Sequence, residues 1–129
     1  MPFTIKIDPE SGVAIATCEG TLGLADGKAG AESLWTTSGW TGVAVVWDFR
    51  LAQLHTSSAE IVELSQYIMQ KQRSPAPARV ALVTARDVDF GQGRMYGAVR
   101  EKSPTEVQVF RDYEAALEWA RAARRPSNE

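Results

Sequence analysis

The chain is short of most residues that would announce a reaction. Its 129 residues include one histidine, His55, and one cysteine, Cys18. A lone cysteine cannot close an internal disulfide, so a reduced, cytoplasmic setting is expected. Without a second histidine or further cysteines, the usual zinc ligand sets cannot be assembled, and no metal or other cofactor is expected. Neither sign of charge dominates: 14 Lys and Arg against 16 Asp and Glu leave a net charge of -2. Nucleic-acid binders are usually basic, so no nucleic-acid partner is expected. No apolar run approaches bilayer length, which excludes a membrane-spanning reading. The N-terminal MPFTIKIDPE carries acids and a proline where a secretory signal needs an apolar stretch. Repeats and long linkers are missing too, which leaves one domain over residues 1–125 and a frayed tail over 126–129. What is present, 44% apolar and 23% charged residues, is enough for an ordinary core.

The most informative stretch runs from Val43 to Met69. It opens with VAVVW, a short β-branched run that reads as a buried strand, and delivers Asp48 and Arg50 to the end of that strand. A polar turn, His55-Thr56-Ser57-Ser58, leads into an amphipathic helix. Ile61, Leu64 and Ile68 form its apolar stripe, and Val62 and Met69 are expected to widen it. Glu60, Glu63, Gln66 and Lys71 take the wet side. The helix should stop before Ser74-Pro75-Ala76-Pro77. Open α/β sheets place ligands just past the C-terminal ends of their strands, so this strand-turn-helix is the first place to look for a site.

Around it the elements alternate. Phe3, Ile5 and Ile7 mark a half-exposed strand, Asp8-Pro9-Glu10-Ser11-Gly12 a turn, and Val13–Glu19 a returning strand with a small face of Ala14, Ala16 and Cys18. That small face predicts a closely packed helix above it. Thr21 could cap a helix over about Leu24–Trp35, whose glycines would let it lie near the sheet. RVALVT, from Arg79 to Thr84, reads as a second buried strand. A helix capped by Asp87 or Asp89 should follow to about Glu101, with Phe90, Met95 and Val99 among its apolar contacts. EVQVF, from Glu106 to Phe110, is the last strand. Asp112 then caps a helix over Tyr113–Arg124 that buries Ala116, Leu117 and Ala120, with Arg121, Arg124 and Arg125 suiting its C-terminal dipole. The order ββαβαβαβα predicts an α/β fold: a five-stranded mixed sheet, its N-terminal hairpin antiparallel and the rest parallel, with four helices.

The chemistry on offer is thin. Ser57-Ser58-Ala59-Glu60 fits a capping box, in which Ser57 accepts from the Glu60 N–H and the Glu60 carboxylate reaches back. One hydroxyl can cap in one state and carry a phosphate in another, because a helix N-terminus favours phosphate. Asp48, His55 and Ser57 do not make a hydrolase: the G-x-S-x-G elbow is absent, and neighbours in one turn rarely point at each other. Gly91-Gln92-Gly93-Arg94-Met95-Tyr96-Gly97 misses the dinucleotide fingerprint at Tyr96, and close helix packing accounts better for its glycines. Trp47 reads as core. Trp35 and Trp40 flank a loop and, with Phe90, make a candidate apolar patch for a ligand.

From Asp48-Phe49-Arg50 through Thr56-Ser57-Ser58-Ala59 the chain resembles the SpoIIAA-like/STAS superfamily of anti-sigma-factor antagonists and sulfate-transporter domains. Asp48 matches the first aspartate of that signature, Ser57 its phosphoacceptor serine and Ser58 the neighbour. RVALVT, the GQGRM helix and EVQVFRDYEAALEWA resemble the branch related to CRAL-TRIO lipid-binding domains. Thr56 stands where the family has an acidic residue and Ala59 where it has glycine. The resemblance implies a SpoIIAA-like fold and a non-enzymatic regulatory or binding module. Its expected partner is a protein, of kinase or anti-sigma type, met by a surface over residues 48–60 with Asp48, Arg50, His55, Thr56, Ser57 and Ser58. A lipid or small apolar ligand held near Trp35, Trp40 and Phe90 is the alternative, and a homo-oligomer is a further option.

Overall fold

Alternating apolar residues at Phe3, Ile5 and Ile7 produce the first strand of the computed structural model, which describes residues 3–71 and 76–123. This strand, β1 (Phe3–Ile7), pairs antiparallel with β2 (Ala14–Leu22). The turn between them closes where the Gly12 N–H donates to the Asp8 carbonyl at 2.8 Å. Gly12 sits at φ 76°, a conformation that only glycine adopts without strain. Next come α1 (Leu24–Trp35), β3 (Ala44–Leu54), α2 (Ser58–Lys71) and β4 (Arg79–Val83), then α3 (Asp87–Val99), β5 (Glu106–Phe110) and α4 (Tyr113–Arg121). The sheet order is β1-β2-β3-β4-β5, and every pair after the first is parallel. The expected mixed sheet with four helices is therefore present. Among the described residues, no helix is long and apolar enough to cross a membrane.

The two faces of the sheet are covered unequally. Among the described residues α4 is the one helix on one face, where Leu117, Ala116 and Ala120 meet Val13, Val46 and Val83. Its cap is the expected one: Asp112 accepts from the Glu114 N–H at 3.0 Å. The opposite face carries α1, α2 and α3, with α2 between the other two. There Leu34 of α1 meets Ala14 and Val45, so the small face of β2 does lie under a closely packed helix. Burial on both faces is why the strands read as continuous apolar runs.

Several boundaries and faces differ from expectation. Thr21 does not cap α1: β2 continues to Leu22, and the cap is Gly23, whose N–H donates to the Asp26 carboxylate at 2.8 Å. Val62 and Met69 do not widen the α2 stripe. They are 40% and 51% exposed, and Ser65 is buried instead. A helix wedged between two others turns its smallest side chain inward, because a narrow gap admits little else. α3 is capped by Arg86 without a side-chain bond, and Asp87 and Asp89 lie in its first turn. It ends at Val99, two residues short of Glu101, and both Met95 and Val99 are exposed. α4 stops at Arg121, with Ala122 as its C-cap, three residues short of the expected Arg124. The expected end at Ser74-Pro75, the dipole partners Arg124 and Arg125, and the tail at 126–129 lie outside the described residues.

Candidate functional site

The strand expected to end near Trp47 runs on to Leu54, so Asp48 and Arg50 lie inside it. β4 follows β3 only as far as the Asp48–Val83 pair. Beyond that point β2 and β3 project as a ribbon, paired up to Leu22–Leu54. Within the ribbon Thr17 pairs with Asp48 and Glu19 with Leu51, so Phe49 and Arg50 both stand opposite Cys18. The extra residue is a β-bulge, and it reverses the alternation of side chains. Trp47 and Phe49 before it share one core with Ala52 and Leu54 after it.

Asp48 and Arg50 hold this bulge. The Asp48 carboxylate is buried and accepts from the Arg50 backbone N–H at 3.1 Å, from Nε at 2.9 Å and from Nη2 at 2.8 Å. The guanidinium lies 4.5 Å from the centre of the Tyr113 ring. Its pKa is raised chiefly by the hydrogen bonds to Asp48. Burial pushes the neighbouring Cys18 thiol up to about 12, with the Asp48 charge adding to the effect. An acid so engaged is a structural latch rather than a free base.

The turn after β3 is tied to a different helix. The Leu54 N–H donates to Asp89 Oδ1 at 3.0 Å, and Gln92 Nε2 donates to the Leu54 carbonyl at 3.1 Å. The Thr56 hydroxyl donates to Gln92 Oε1 at 2.6 Å. Asp89 is fully buried and also accepts from Arg86. The Ser57 capping box forms in full: the Glu60 N–H donates to Ser57 Oγ at 3.2 Å, and the Ser57 N–H to Glu60 Oε1 at 2.9 Å. The predicted surface is thus divided. Arg50 engages α4 and is held by Asp48, Thr56 engages α3, and His55, Ser57 and Ser58 are exposed at the turn.

A second candidate lies under the three-helix layer. A cavity of about 150 Å³ has Val45, Trp47 and Leu82 of the sheet on one side and Leu34, Leu64 and Tyr96 of the helices on the other. Trp35 and Trp40 also line it; Phe90 does not, and instead meets the Arg111 guanidinium, 4.4 Å from its ring centre. Glycines shape the cavity by thinning the helices that roof it. A Cβ on Gly27 would stand 2.9 Å from Leu64 Cδ2, one on Gly30 3.0 Å from the Phe3 ring, and one on Gly93 2.9 Å from Val109 Cγ2. The glycines therefore mark close approaches: α1 to α2 at Gly27, α1 to Phe3 and Trp47 at Gly30, and α3 to β5 at Gly93. Interiors normally close such spaces.

Four polar side chains line this cavity, and sequence patterning singles out none of the three on α3 and at its end. Thr56 and Gln92 satisfy each other. Tyr96 and Arg100 form a second pair, in which Arg100 Nη1 donates to the Tyr96 hydroxyl at 2.6 Å. Burial raises the Tyr96 pKa, and the nearby guanidinium opposes that rise. Arg100 is 2% exposed, and its Nε and Nη2 have no hydrogen-bond partner among the described residues. The buried face of α3 and its cap is Asp89, Gly93, Tyr96 and Arg100. That face has helical spacing and no apolar aliphatic residue, which is why a hydrophobic stripe does not reveal it.

No family model and no curated protein matches the chain. Its fold does match the crystal structure of an uncharacterised protein from the DUF3478 family with a SpoIIAA-like fold, from Shewanella loihica PV-4. That match has a TM-score of 0.57 at 17% identity, over 92% of this chain and 91% of the other.

Proposed function

Taking the SpoIIAA-like fold as given, we propose that the chain is a non-enzymatic binding module that takes a small apolar ligand between its sheet and its three-helix layer. The observation that carries this reading is the 150 Å³ cavity, roofed by helices thinned at Gly27, Gly30 and Gly93. A cavity of that volume is about the size that holds one benzene ring. The exposed His55, and an Asp48 already engaged by Arg50, support a role without catalysis. Toluene titrated into methyl-labelled protein should shift the lining methyls of Val45, Val80 and Leu82, while Val80→Phe, which fills the space, should remove the response. Unmoved lining methyls at saturating toluene would sink the reading.

A second reading keeps the turn as a surface for a protein partner of kinase or anti-sigma type. Leu51 favours it, being 70% exposed on the projecting ribbon next to Arg50, with His55, Ser57 and Ser58 exposed just beyond. A kinase or anti-sigma partner should lose its hold on Leu51→Asp protein. Binding indifferent to both Leu51→Asp and Ser57→Asp would rule the surface out.

A further inference from the structure

The chemistry of the cavity's ligand can be read from Arg100. A buried cation is costly unless it is paired, and the described residues offer Arg100 no carboxylate. Of its nitrogens only Nη1 makes a hydrogen bond, to the Tyr96 hydroxyl, and the guanidinium lies 5.6 Å from the Tyr96 ring centre. The two unpaired nitrogens, Nε and Nη2, form one edge of the guanidinium. Elsewhere in this protein the same edge grips a carboxylate. Arg50 donates through Nε at 2.9 Å and Nη2 at 2.8 Å to the two oxygens of Asp48, and Arg86 through Nε at 3.0 Å and Nη2 at 3.2 Å to those of Asp89. Arg100 has no acid on that fork; both nitrogens are closed off, with almost no accessible surface, while the side chain lines the cavity.

The remaining polar groups do not compete for the role. Thr56 and Gln92 are engaged with each other, and Gln92 also with the Leu54 carbonyl. The other unpaired buried groups, the hydroxyls of Thr84 and Thr105, are not part of the lining. Apart from these polar side chains the lining is apolar, including Val45, Val80 and Leu82.

We propose that the cavity binds a small monocarboxylic acid, with a ring-sized or short-chain apolar body among Val45, Val80 and Leu82 and its carboxylate on Arg100 Nε and Nη2, which the entering ligand uncovers. Tyr96 is the positioning residue, holding the guanidinium from its far edge. The proposal rests on the apolar-ligand reading and adds the charged end to it. A planar carboxylate with two oxygens matches the fork, and no counter-ion within the described residues has to be displaced first.

Calorimetry and methyl NMR on the full chain test this with benzoate and hexanoate, each against its primary amide. The acids should bind roughly tenfold or more tighter than the amides, the difference expected for charge-assisted hydrogen bonds in a buried site. Arg100→Met should abolish that preference while leaving the amides bound. Equal binding of acid and amide to the unaltered protein, a comparison needing no variant, would overturn the carboxylate proposal and leave the cavity reading standing. A preference surviving in Arg100→Met would do the same. If neither acid nor amide moves the lining methyls, both readings fall.

Discussion

Asp48 grips Arg50 at three points, the backbone N–H and two guanidinium nitrogens, and the gripped residue is one of the two that share Cys18 as a partner in the bulge of β3. The pair that looks in sequence like a charged site at a strand end is the clasp of an irregularity in the strand. Asp48→Ala should cost about 2 kcal/mol in chemical denaturation. The Arg50 side chain is 47% exposed, so the loss comes mostly from the backbone clasp and less from the screened ion pair. A change below about 0.5 kcal/mol would show that the bulge holds itself.

Ser57 and Ser58 separate capping from mere exposure. Both are exposed, but the Glu60 N–H is bonded to Ser57 alone. Ser57→Ala should lower stability by about 1 kcal/mol, while Ser58→Ala should be close to neutral. Ser57→Asp should retain the cap. Equal losses in thermal denaturation for the two alanine variants would contradict the capping assignment.

The glycines of α3 should respond with opposite signs. A Cβ on Gly91 meets nothing within 4 Å, so Gly91→Ala should stabilise the helix by up to about 1 kcal/mol. On Gly93 the Cβ would press on Val109 Cγ2 at 2.9 Å, and Gly93→Ala should cost about 1–2 kcal/mol after its helix gain. Urea midpoints of the two variants decide the matter. A stabilised Gly93→Ala would mean that α3 can lift from the sheet without penalty.

Cys18 gives stability an alkaline limit. Its thiol is pushed up from 9.0 to about 12, first by burial and then by the Asp48 charge. A thiol that ionises more easily once unfolded adds stability below pH about 9 and loses it as pH climbs towards 12. Cys18→Ala should flatten that alkaline decline. In the folded protein at pH 8 a thiol reagent should react only as fast as the chain opens. Immediate labelling would show that the thiol is reachable without unfolding.

Arg100→Met supplies a check that needs no ligand. Replacing a buried cation with two unpaired nitrogens by an apolar chain of similar length should leave stability unchanged or raise it, by up to about 2 kcal/mol. Benzoate should raise the melting temperature of the unaltered protein more than that of the variant. A loss above about 1 kcal/mol in Arg100→Met would show that the fold itself satisfies the guanidinium.

Local features were legible in the chain because they depend on residues within a turn of one another. The alternation of Phe3, Ile5 and Ile7, the Asp112 cap, the Ser57–Glu60 box and the 24–35 helix all follow from neighbours a few positions apart. The order of elements followed from these, and with it the mixed sheet. What the tertiary structure decided depends on partners far away in sequence. β3 extends to Leu54 because β2, some thirty residues earlier, continues beside it where β4 has stopped. Val62, Met95 and Val99 look outward because α2 and α3 are turned by the helices and strands they meet, not by their own pattern. The cavity exists only where three helices and a sheet fail to close. Arg100 becomes a candidate ligand-binding residue only because Tyr96, one turn before it, brings one edge of its guanidinium under the same roof and leaves the other without a partner.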